Sequence, residues 1–69
     1  MTLLSLLEVL NPNAQIKVIS QFYDQEVISG TVIDIYRSRW KIRIGGRHVL
    51  ELHADGPESY TATIHYFML

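Results

Sequence analysis

The chain has no cysteine. That excludes a disulfide staple and a thiolate metal site, and gives no support to an oxidising compartment. The cytoplasm is the expected location. There is no internal repeat, no low-complexity run and no linker, so residues 1–69 are expected to form one domain. No apolar run is long enough to span a bilayer. The most apolar stretch, M-T-L-L-S-L-L-E-V-L at the N-terminus, also makes a poor export signal. It has no basic start, Glu8 interrupts it, and no small-residue cleavage site follows. Neither membrane association nor export is expected.

The signatures of catalysis are equally sparse. Ser5, Ser20, Ser29, Ser38 and Ser59 lie in no Gly-flanked elbow, and no Ser, His and acid stand in a recognisable order. Gly45-Gly46-Arg47 is too short for a phosphate cradle. Metal ligation would have to draw on His48, His53, His65, Glu51 and Asp55, none of which forms a short ligand pair on a helix. No enzyme activity, metal, cofactor or small-molecule substrate is expected.

What is present is a chain of 69 residues, 48% of them hydrophobic. It can collapse around a thin core, with a margin on the order of a few kcal/mol. Such a core often gains stability from a partner or a second copy. The net charge of −1 conceals a split. Arg37, Arg39, Lys41, Arg43 and Arg47 crowd into residues 36–48 without an acid, while only Lys17 stands among the acids elsewhere.

In chain order, Leu3, Leu6, Leu7 and Leu10 recur at i, i+3, i+4 and i+7. That spacing makes one stripe of a short helix, capped by Thr2 and ended before Pro12. A helix of that length is unstable alone, so it must lie on a sheet. Gln15 to Phe22 alternates as a strand with Ile16, Val18 and Ser20 on one side. Val27 to Ile35 is rich in β-branched residues and reads as its antiparallel partner, with Gly30 marking a bulge or close contact.

Residues 36–46 are compatible with two structures. As a strand, Trp40, Ile42 and Ile44 face inward and Gly45-Gly46 is a hairpin turn. As a helix, Tyr36, Trp40 and Ile44 share a face, Ile42 is poorly placed, and Gly45 is a left-handed cap. Arg47 to His53 and Tyr60 to Phe67 read as the last two strands. Their pairing places Leu50 opposite Ile64 and Leu52 opposite Ala62, with Glu51, His53 and His65 on a wetter face.

The order of these pieces resembles a group of small uncharacterised phage or prophage proteins from low-GC Gram-positive gut bacteria. The likeness lies in the Leu-rich start L-L-S-L-L-E-V-L, the break Asn11-Pro12-Asn13, the strand Ile16 to Ile19, the segment Gly30 to Ile35, and V-L-E-L-H-A-D from Val49 to Asp55. In that group the connector after the second strand is often helical, which implies a helical turn at 36–44. Here Arg and Lys replace the group's acidic, proline-started connector. The resemblance implies a phage or prophage context and transfers no binding residue.

The expected fold is α+β: an N-terminal helix on a small four-stranded, mostly antiparallel sheet, with a short second helix or strand at about 36–44. The expected core is Leu3, Leu6, Leu7, Leu10, Ile16, Val18, Val32, Ile35, Trp40, Leu50, Leu52 and Ile64. Two functions follow. One is a non-enzymatic accessory protein acting through association with a protein, another copy of itself included. Its motive is the apolar end Phe67-Met68-Leu69 and exposed sheet edges. The other is weak nucleic-acid binding by Arg37, Arg39, Trp40, Lys41, Arg43 and Arg47, with cations on phosphates and an aromatic on a base.

Overall fold

A computed structural model describes residues 1–67; the expected contribution of Met68 and Leu69 to an apolar tail lies outside the described residues. The elements are α1 (Leu3–Val9), β1 (Gln15–Ser20), β2 (Gln25–Thr31), α2 (Val32–Arg37), α3 (Trp40–Ile44), β3 (Val49–Gly56) and β4 (Ser59–Ile64). The four strands form one sheet in the order β2-β1-β4-β3. The central pair β1–β4 is parallel and both outer pairs are antiparallel. The fold is therefore α+β with a mostly antiparallel sheet.

The alternation of β1 sets the layers. Ile16, Val18 and Ser20 are buried, and the parallel register brings Ala62 and Ile64 of β4 beside them on the same face. Leu3, Leu6 and Leu7 of α1, Val32 and Ile35 of α2, and Ile44 of α3 close over that face, with Ala14 at its edge. Leu10 and Trp40 pack against this core while remaining partly exposed.

The start of α1 follows its sequence. Thr2 Oγ1 accepts the Ser5 N–H at 3.2 Å. The chain then supplies what a side chain does not: the Leu3 and Leu4 N–H groups donate to the carbonyls of Arg47 and Gly45, both at 2.9 Å. The free donors of the first turn are thus satisfied by backbone from the opposite end of the basic segment. Gly45 is right-handed (φ −57°), not the left-handed cap expected, because its carbonyl turns toward α1. A Cβ there would overlap the Lys41 carbonyl oxygen.

The expected strand Val27–Ile35 is cut at Thr31. Thr31 Oγ1 accepts the Asp34 N–H at 3.2 Å and caps α2, which buries Val32 and Ile35 three residues apart. Capping and one-faced burial override the β preference of these residues. The hairpin irregularity falls between Val18 and Ile19, opposite Ile28 and Glu26, and not at Gly30. Gly30 instead takes φ +152°, a conformation other residues rarely adopt.

Ser20 is the fully buried polar side chain of the core. Its hydroxyl donates to the Tyr66 carbonyl at 2.6 Å and accepts the Phe22 N–H at 3.3 Å, tying the segment after β4 to the end of β1. Ser20→Ala leaves both partners short of a hydrogen bond. It is expected to lower stability by about 1–3 kcal/mol in urea unfolding, while Ser29→Ala on the exposed strand changes little. Equal effects would contradict the clasp.

Candidate functional site

The basic segment is helical, in two pieces divided at Ser38. Its N–H and hydroxyl both donate to the Ile35 carbonyl, at 3.1 and 2.7 Å, and end α2. Its Oγ accepts the Trp40 N–H at 3.2 Å and starts α3. Ile42, awkward for a helix in the sequence, is indeed turned to solvent and 88% exposed. The 36–46 hairpin alternative is excluded by α3.

The five cations stand on the surface, with Lys41 partly covered. Among the described residues none pairs with a carboxylate; Glu51 instead contacts the His53 ring. Three of the five cations lie over aromatic rings: Lys41 Nζ is 4.2 Å from the Tyr36 centroid, Arg43 5.5 Å from Trp40 and Arg47 5.4 Å from Tyr66. Such exposed contacts contribute about 0.5–1 kcal/mol each.

The grouping is only partial. Arg37 and Lys41 border one shallow concavity, and Arg39 and Arg43 border another with Trp40; Ile42 stands between them. Arg47 borders neither. Trp40 is half-buried against the core, so the ring expected to stack on a base also serves packing.

The second surface is the outer strand β3. Among the described residues β4 is its one strand neighbour, the Val49 N–H at its start donates to the Met1 carbonyl at 2.9 Å, and every residue from Leu50 to Gly56 is exposed. Leu50 and Leu52 were expected in the core and are 50% and 41% exposed. For Leu52 the expected register is right, opposite Ala62 on the helix side, but no helix packs substantially on this outermost strand. For Leu50 the register slips: Val49, not Leu50, pairs with Ile64, and the irregularity between Val49 and Glu51 carries Leu50 to the open face beside Glu51. Glu51 and His53 point to that face, opposite Thr63 and Thr61, and touch each other. His65 lies beyond β4 against the Phe22 ring, with centroids 5.1 Å apart. Among the described residues no three His, Asp or Glu side chains converge as metal ligands.

A third feature is aromatic. Phe67 is exposed and lies 5.3 Å from Phe22 and 5.9 Å from Tyr23 by ring centroids. Among the described residues no helix is long and apolar enough to cross a membrane.

Comparison with protein-family models, curated proteins and solved structures finds no match. The strand V-L-E-L-H-A-D-G holds neither Lys nor Pro, and the features that blunt its edge are Glu51, Asp55 and the irregularities at its two ends.

The cations do not hold the fold together. Changing Arg37, Arg39 and Arg43 together to Gln is expected to shift the urea-unfolding free energy by less than about 1 kcal/mol. A loss of several kcal/mol would show that these side chains are structural.

Proposed function

We propose that this protein is a non-enzymatic accessory protein of the phage or prophage type, working in the cytoplasm through protein–protein association, with a second copy of itself as the first partner. The observation that carries this is β3: an eight-residue edge strand with two exposed leucines and, among the described residues, no strand on its outer side from Leu50 onward, the Val49 N–H at its start donating to the Met1 carbonyl. An edge strand offers a row of backbone donors and acceptors, and another strand satisfies them by extending the sheet. The phage context rests on the resemblance of the apolar pattern alone.

Light scattering on a size-exclusion column is the test. The account predicts a mass that climbs from monomer toward twice the monomer as concentration rises. A constant monomer mass at millimolar concentration contradicts self-association.

One observation favours nucleic-acid binding as the second reading: the cations of α2 and α3 have no carboxylate partner among the described residues. Their split into two pairs and the overall charge of −1 favour few phosphate contacts and weak binding. Fluorescence anisotropy with short single- and double-stranded oligonucleotides at low salt checks it. Binding that disappears in Arg39→Glu/Arg43→Glu supports it, and no binding at low salt removes it.

A further inference from the structure

We propose that two copies join edge to edge through β3, antiparallel, with Leu52 of each copy meeting at the two-fold axis and Glu51 of each opposite His53 of the other. This deepens the self-association proposed above and rests on it.

The sequence of the strand is complementary to its own reverse. In L-E-L-H-A a two-fold axis at Leu52 sets Leu52 against Leu52 and places both Glu51 side chains opposite a His53. Antiparallel pairing through a shared residue is the isologous contact that a two-fold symmetric dimer requires. Opposite-charge or hydrogen-bonding pairs directly across strands stabilise, and like charges there repel.

The fold supports this register. Glu51 and His53 share the open face, so the axis gathers Glu51 and His53 from each copy into one cluster of alternating partners. Leu52 lies on the helix face, where a second Leu52 covers apolar surface that the chain's own helices leave exposed. The β3 ladder is regular from Glu51 to Ala54, with irregularities only at its two ends. The two sheets merge into one of eight strands, with all helices on the same side.

The other edge does not fit. A two-fold axis at Ile28 of β2 would oppose Val27 to Ser29 and Glu26 to Gly30, with no complementary pair. That strand also carries the irregularity opposite Val18 and Ile19 and the positive φ of Gly30.

Sedimentation velocity over a concentration series tests the register, with circular dichroism as the check on folding at these exposed positions. His53→Glu sets two Glu–Glu pairs across the axis and is expected to weaken association about tenfold. Adding Glu51→Lys to that variant sets opposite charges in both pairs and is expected to recover at least wild-type affinity. Wild-type dimers indifferent to His53→Glu, or a double variant no tighter than the single, overturn the register while leaving self-association standing. Dimers lost in Phe67→Ser but retained in His53→Glu place the contact at the aromatic cluster and overturn it too. A wild-type monomer removes both.

Discussion

The parallel pairing of β1 with β4 is the constraint on which the rest of the molecule depends. It matches Ile16, Val18 and Ser20 to Tyr60, Ala62 and Ile64, so two short strands present one apolar floor. Everything between them in sequence must leave β1 and return alongside it. β2 pairs back on the outer side of β1; α2 and α3 then cover the floor, and β3 brings the chain around for β4 to enter the centre. Antiparallel neighbours on both flanks follow, and so do two outer strands with unpaired sides. A single layer of short helices covers the centre of one face, which is as much as a chain this short can cover.

Much of this architecture could be read from local patterns. The leucine stripe, Thr2 and Pro12 give α1 almost to the residue. The alternation from Gln15 gives β1 and its inward side. Leu52 opposite Ala62 follows from matching apolar positions across a hairpin. What stayed hidden depends on distant residues. Val32 to Ile35 favour a strand by type, and their helix exists because Thr31 caps it and α1 lies ready to receive Val32 and Ile35. Leu52 looks like core until the strand order makes β3 an edge, and Leu50 until the slip after Val49 carries it to the open face; nothing local distinguishes an outer strand from an inner one.

The basic segment shows the same division. Its helical form was one of two structures compatible with the residues, and Ile42 marked the conflict correctly: in the helix it has nowhere apolar to go. The hinge at Ser38 and the capping of α1 by Gly45 and Arg47 were not visible, since both are backbone events set by the tertiary arrangement. The segment's C-terminal end thus has a structural task, holding α1, beside its exposed cations. Trp40 and Arg47 share in that division, the first through packing and the second through its carbonyl.

Self-association through β3 is the central functional claim, and amide hydrogen exchange measured at several protein concentrations probes it at the strand itself. The amides of Glu51 to Ala54 that point away from β4 should exchange quickly in dilute solution and slow as concentration rises, while those on the outer side of β2 stay fast throughout. Exchange along β3 that is independent of concentration, in samples whose mass increases with concentration, would contradict the account.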